Sequence, residues 1–328
     1  MRHIYPCRKE IRGKDMIKVG ILGTGFGKFH AELYKKMEGY ELVSIFGRDI
    51  DKLKAIGEEL KVHTTQNIEE IVQNPQIDLL DICLPTELHS KWAIEGLKHG
   101  KHIFCETPIT LDIDEAEEIR KASEQYGKNV FVDLFIKFST PHLTAINYTK
   151  EGTFGKLLNM QAYNSTSSRW GDLGIKKNAE TFHNHLIDFV CEIAGMPENI
   201  ISTAMDYEGK SIVTTAFKTG NTYALAQSNS CLPESCPFAI GFELVYSNGV
   251  IRFDAIYGDY TKEEFIVFQD GKEAELLELD MKDDYEESFS HVLQCIQNGI
   301  KSPIIDIEAA INQVKVKNMI LESIEKKQ

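Results

Sequence analysis

From Ile17 onward the chain alternates short apolar runs with amphipathic stretches. "IKVGIL", "ELVSIF", "IDLLDICL", "KHIFCE" and "NVFVDL" read as strands, with "VHTT" as a short addition between the second and third. "KFHAELYKKM", "DIDKLKAIGEEL", "ELHSKWAIEGLKHG" and "DIDEAEEIRKASEQYG" carry helical spacing. Apolar strands joined by helices predict a parallel sheet covered on both faces. After about residue 135 the pattern changes. From Asn199 to Asp280 polar and apolar residues alternate in seven segments, and "KTGN", "SNGV" and "QDGK" supply Gly or Asn for tight turns. This predicts an antiparallel meander with one buried face. Helical segments near Glu286–Asn298 and Ile307–Lys327 finish the chain.

The 328 residues suffice for two compact domains. A formal net charge of -14 repels phosphates and anionic lipids, so neither nucleic acid nor membrane is an expected partner. No run is apolar enough to span a bilayer, and "MRHIYPCRKEIRGKD" lacks the apolar core of a signal peptide. The expected location is cytoplasmic. Residues 1–15 read as an extension, either upstream of a start at Met16 or a short ordered arm. Seven irregularly spaced cysteines suggest free thiols, and Cys231 and Cys236 do not match a zinc knuckle.

The first strand runs into Gly23-Thr24-Gly25-Phe26-Gly27, and a helix follows. Glycines here allow a tight turn and close approach of the backbone to a pyrophosphate at the helix N-terminus. The usual third glycine position holds Lys28, with Gly27 one residue early. The second strand ends in Phe46-Gly47-Arg48-Asp49, where a ribose-reading residue belongs. Gly47 carries no carboxylate to repel a 2′-phosphate, and Arg48 could pair with one. This leans to NADP. The alternative is NAD, with Arg48 a solvated charge and Asp49 or Asp51 on the ribose. The expected fold class is α/β. A Rossmann doubly wound parallel sheet occupies residues 16–134. A second α/β domain with a mainly antiparallel sheet is expected over residues 135–328.

Four stretches together resemble the Gfo/Idh/MocA family of NAD(P)-dependent oxidoreductases. They are "VGILGTGFGKFHAELY", "DLLDICLPTELHSKWAIEGLKHGKHIFCETP", "EGTFGKLLNMQAY" and "TFHNHLIDFVCEIAG", in family order with the third preceding the fourth. The resemblance covers nearly the whole chain from Met16. It implies hydride transfer between a nicotinamide and a small sugar, cyclitol or related hydroxy or keto compound. It implies that Leu84, Pro85, Thr86 and His89 line the nicotinamide side, with Glu106, Thr107 and Pro108 in place of the family's Glu-Lys-Pro. His185 and Asp188 match the catalytic helix. Two positions depart: the family lysine is Thr107, and the family aspartate is Thr181.

Hydride transfer to a carbonyl leaves an alkoxide that needs a proton, and histidine suits the task. His185 is the expected acid/base, with Asp188 orienting it or sharing its pocket; a core histidine is the plain alternative. Loss of the lysine removes a cation worth on the order of a hundredfold in rate. Thr107 can still hydrogen-bond a substrate hydroxyl. Lys137, Lys176 or Lys177 could replace the cation, against the plainer reading that all three are solvated. Thr181 and His183 join the candidate substrate-binding positions. His183, His185 and Asp188 raise a metal site on an extended segment, but on a helix the two imidazoles diverge by roughly 200°, so no metal is expected. Trp92 and Trp170 read as core or interface residues. One sheet face, with Tyr223, Leu225 and Phe242 on or near it, should be buried in a homodimer or homotetramer. A ligand sensor without catalysis, or a glycosidase with bound NAD, are the competing functions.

Overall fold

The computed structural model describes residues 16–167, 171, 173–259 and 261–326. The expected extension at residues 1–15, Cys7 and Trp170 lie outside the described residues. The chain divides into two units. One runs to Phe135 and takes back Asp283–Val314; the other holds Ile136–Lys282 and the chain from Lys315.

The first unit holds a six-stranded parallel sheet of β1 (Ile17–Leu22), β2 (Tyr40–Phe46), β3 (His63–Thr65), β4 (Leu79–Ile82), β5 (His102–Cys105) and β6 (Val130–Val132). Its order is β3-β2-β1-β4-β5-β6, the doubly wound arrangement. The order reverses at β1, so the crevice for a ligand lies beyond the carboxyl ends of β1 and β4. The connections carry α1 (Gly27–Lys36), α2 (Ile50–Leu60), α3 (Ile68–Val72), α4 (His89–Lys98) and α5 (Ile113–Tyr126). β4 is buried at every position, as its unbroken apolar run requires. Asp112 caps α5 by accepting from the amides of Asp114 and Glu115, and Gly127 ends that helix in the left-handed region.

The second unit contains α6 (Thr140–Glu151), β7 (Leu157–Ser167), the short α7 (Ile175–Lys177), a π-helical turn over Asn178–Phe182, and α8 (His183–Ala194). It continues with β8 (Ile200–Tyr207), β9 (Lys210–Thr219), β10 (Thr222–Leu232), β11 (Phe238–Tyr246), β12 (Gly249–Tyr257), β13 (Thr261–Gln269) and β14 (Glu275–Leu277). The eight strands run β14-β13-β12-β11-β7-β10-β9-β8. The sheet is mainly antiparallel, as the alternation required. It is not a simple meander, because β7 inserts between β11 and β10 and lies parallel to β10.

Two expectations need correcting. Asp283–Val314 packs with the first sheet, not with the second unit. The cause is α9 (Asp284–Asn298), whose Phe289 meets His30, Tyr34 and Phe104 and whose backbone accepts from the Tyr40 hydroxyl at 2.7 Å. Past it, the Val132 amide donates to the Ile305 carbonyl at 2.8 Å. The last helix, α10 (Ile307–Glu325), follows. The second correction is Phe242. It is buried against His142, Phe189, Phe253 and Phe265, on the face covered by helices. Tyr223 and Leu225 point the other way and are exposed. Trp92 is buried, as expected.

Candidate active site

In the first unit, Gly23 has φ 121°, a region hostile to L side chains. A Cβ there would lie 2.3 Å from the carbonyl oxygen of Cys83, so only glycine lets the end of β1 press on the end of β4. At Gly25 an added Cβ would meet nothing within 4 Å. Bare backbone there faces open space at the start of α1, as a pyrophosphate oxygen requires. The third glycine is displaced rather than lost. Gly27 opens α1, and its Cβ would sit 3.0 Å from Ile21 Cγ2 and 3.3 Å from Cys83 Cβ. Close packing of helix on strand therefore falls to Gly27. Lys28 turns outward to Glu59 at 2.8 Å. These residues fit the pyrophosphate of a dinucleotide.

A Cβ on Gly47 would strike Thr24 Cγ2 at 2.6 Å, so the end of β2 and the glycine turn are in close contact. Arg48 is exposed, and its carbonyl accepts from Gln66 at 2.7 Å. Asp49 is the cap of α2, accepting from the amides of Asp51 and Lys52. Its carboxylate is thereby engaged with the helix.

Leu84, Pro85, Thr86 and His89 follow β4. His89 is buried and bridges two segments, with Nε2 2.7 Å from the Leu84 carbonyl oxygen and Nδ1 3.0 Å from that of Pro108. Burial lowers its pKa while the two carbonyl oxygens pull it up, and the ring donates to one of them when neutral and to both when protonated. Glu106, Thr107 and Pro108 follow β5, and the Thr107–Pro108 peptide is cis. The Thr107 amide donates to Glu106 Oε2 at 3.3 Å, and its hydroxyl lies 3.5 Å from Gln313 Oε1.

Behind this segment lies a cluster that the motifs identified only in part, through His30 of the dinucleotide turn and Glu106. His30, Asp81, Glu106 and Asp133 converge, with Cys83 beside them. The signal was available: Asp81 and Asp133 are single acids inside "LLDICL" and "NVFVDL". An isolated carboxylate in a fully buried strand requires a partner.

In the second unit, His183 does not belong with the substrate-binding candidates. It is fully buried, and its ring nitrogens lie 2.8 Å from Ser228 Oγ and 2.8 Å from Thr215 Oγ1, on the sheet beneath α8. Burial pushes its pKa down to about 3. Thr181 bonds back to the Lys177 carbonyl at 2.7 Å, within the helical run. His185 is half-buried, with its Nδ1 edge inside. Burial lowers its pKa to about 4. Lys137 is not a solvated lysine. It is buried, 3.1 Å from Asp188 and 3.3 Å from Glu192, while Lys150 also reaches Glu192 at 3.3 Å. Burial opposes the Lys137 charge, and the two carboxylates overcome it and raise its pKa. Lys176 is exposed and reaches Glu180 at 3.8 Å, and Lys177 is also exposed. His183 and His185 stand on a helix, so their rings diverge as a shared metal site would forbid.

Residues 17–134 match the model of an oxidoreductase family with an NAD-binding Rossmann fold, Gfo/Idh/MocA. Over these residues the chain is similar to that family's dinucleotide-binding domain. An uncharacterized oxidoreductase of Streptococcus pneumoniae is 28% identical over 197 residues, 57% of this chain and 53% of that protein. A glycosyl hydrolase family 109 protein of Shewanella baltica is 29% identical over 167 residues, 48% of this chain and 36% of its own length. The alignments thus span about half or less of these curated relatives. Levoglucosan dehydrogenase, solved with NADH and levoglucosan, shares the fold at a TM-score of 0.82 and 17% identity, over 96% of this chain and 98% of that one. Among the described residues, no helix is long and apolar enough to cross a membrane.

Proposed function

We propose that this protein is a member of the Gfo/Idh/MocA family and transfers a hydride between a nicotinamide dinucleotide and a small sugar, cyclitol or related hydroxy or keto compound. The observation that carries the reading is the glycine turn. Gly23 and Gly27 are closed by neighbouring atoms while Gly25 stands open at a helix N-terminus. The bound nicotinamide supplies or accepts the hydride. The chain's own residues hold the dinucleotide, position the substrate and move the proton. Glu106, Thr107 and the Leu84–His89 segment form the nicotinamide side of the first unit. In the second unit, Lys137, Asp188 and His185 are the residues assigned to the substrate, with the ion-paired Lys137 as its cation.

NADP is favoured over NAD. The end of β2 offers Gly47 where a carboxylate would repel a 2′-phosphate, Arg48 is exposed beside it, and Asp49 is engaged as a cap. The test is to identify nucleotide carried through purification, then follow NADPH and NADH formation with a panel of polyols and sugars. No nucleotide binding and no turnover would remove the reading. A second reading is favoured by the glycosyl hydrolase family 109 relative: a glycosidase that keeps NAD bound throughout its cycle. Non-exchanging nucleotide together with aryl-glycoside hydrolysis would select it. The outer sheet face, with Tyr223 and Leu225 exposed, supports a homodimer or homotetramer.

A further inference from the structure

His30 sits where three strand ends meet. It lies in the first turn of α1, opened by the glycine turn, and its side chain is fully buried. Nδ1 is 2.9 Å from Oδ2 of Asp81 on β4. Nε2 faces Glu106 Oε1 at 3.2 Å and Asp133 Oδ2 at 3.5 Å, the residues directly after β5 and β6. Both are charge contacts rather than aligned hydrogen bonds, since these three atoms are buried without a hydrogen-bond partner. Cys83 Sγ lies 3.4 Å from Nδ1. From α9, the Ser288 hydroxyl donates to the other Asp133 oxygen at 3.2 Å, and Phe289 packs edge-on against the imidazole. Cys105 on β5, Tyr34 on α1, Tyr40 on β2, and Tyr285 and Asp284 on α9 also surround it among the described residues.

Three carboxylates in one buried pocket repel one another, and taking each from water costs several kcal/mol. Among the described residues, the imidazole is the group in this pocket that can carry positive charge. Burial opposes its charge, but Cys83, Asp81 and Asp133 overcome that and raise its pKa well above the ordinary value. Burial raises Glu106 and Asp133, and repulsion adds to this, from Asp133 and Asp81 on Glu106 and from Asp81 on Asp133, while His30 pulls each back. Glu106 is the member that reaches the surface, with a side chain 20% exposed. One of its oxygens faces His30, and the other accepts the Thr107 amide.

We propose that His30 is a positioning residue: its ring, shared among Asp81, Glu106 and Asp133, holds the Glu106–Thr107–Pro108 segment in register with the dinucleotide turn. The proposal rests on the dinucleotide-binding reading above. It differs from a packing role because it depends on charge. His30→Gln keeps bulk and hydrogen-bonding capacity but removes the cation. The full chain should then bind NADPH about tenfold more weakly near pH 8. The loss should be less than about threefold near pH 6, where the stranded carboxylates take up protons. His30→Gln with Asp133→Asn removes one of the repelling carboxylates and should restore binding to within about threefold of the parent at both pH values. Nitrogen NMR of the unmodified protein should show His30 doubly protonated near pH 8. Equal loss at both pH values without rescue by the second substitution would overturn the proposal, as would a neutral ring. If the parent protein binds neither NADPH nor NADH, the oxidoreductase reading falls. The clamp is then decided by the NMR signal alone.

Discussion

The Nζ of Lys137 lies 3.1 Å from Oδ2 of Asp188, and both side chains are 9% exposed. Glu192, one turn further along α8, meets the same ammonium group at 3.3 Å. Breaking a buried pair by removing one partner typically costs about 3–5 kcal/mol, because the other charge is left uncompensated. Lys137→Ala should therefore destabilise the fold strongly in urea denaturation. Lys137→Met with Asp188→Asn should cost clearly less than the sum of the single changes. Additive effects would show that the pair is not coupled.

Five histidines should make the fold acid-sensitive. Burial lowers His142 and His183 to about 3, and His102, His185 and His291 to about 4. Unfolded, each titrates near ~6.5. Below that value the unfolded chain takes up protons that the folded chain refuses. Stability is present above pH ~6.5 and is lost as pH falls towards the folded values, at up to ~1.4 kcal/mol per pH unit for each group. His30 has the opposite sign: its contribution is full below ~6.5 and is lost as pH rises through its raised folded value. Denaturation midpoints should fall steeply from about pH 6 to pH 4. His183→Gln, which bridges the same two hydroxyls without a titrating group, should flatten part of that slope.

Arg48 tests the cofactor. If it pairs with a 2′-phosphate, Arg48→Ala should weaken NADPH by about 1.5–3 kcal/mol and leave NADH nearly unchanged. Fluorescence titration of both nucleotides measures this directly. Equal affinities in the parent protein, unmoved by the substitution, would return the ribose to NAD.

Much of the fold was legible because burial imposes a period. Apolar runs gave the six parallel strands, and alternation gave β8 to β14. β7 was visible only through its family resemblance, because "KLLNMQAYNSTS" mixes polar residues on both faces. The return of α9 to the first unit was not legible: its apolar stripe says that it packs, and not on which partner. At the site, glycine geometry followed from the motif, and Gly27 replaced the third glycine as a one-residue slip. The ionic partners were hidden. Asp81 and Asp133 join His30 across more than fifty positions of sequence, and Lys137 joins Asp188 in the same way.

Assembly is tested on the outer sheet face. Tyr223 is 59% exposed and Ile201 is 59% exposed, on strands whose other face is covered. If copies pair through this face, Tyr223→Glu with Leu225→Glu should give a monomer in sedimentation with its helical circular dichroism intact. A parent protein that is already monomeric at micromolar concentration would remove the expectation.

The last prediction concerns the proton. His185 is held neutral above about pH 4. For oxidation of a hydroxyl, the base must be unprotonated before hydride leaves, so kcat/KM in that direction should be flat from pH ~5 upward. For reduction the same ring must carry a proton, so that direction should weaken about tenfold per pH unit above ~4 unless substrate raises the pKa. His185→Ala should lower kcat by about a hundredfold or more while cofactor affinity stays within about twofold, because the ring acts only as charge develops on oxygen. Thr107→Lys is the complementary substitution. A lysine would crowd a position where the threonine hydroxyl lies 3.5 Å from Gln313 Oε1, and turnover should stay level or fall. A large gain from Thr107→Lys would mean that Lys137 does not replace the family lysine. Unchanged turnover in His185→Ala would move the proton to another group, with Glu106 the first to test.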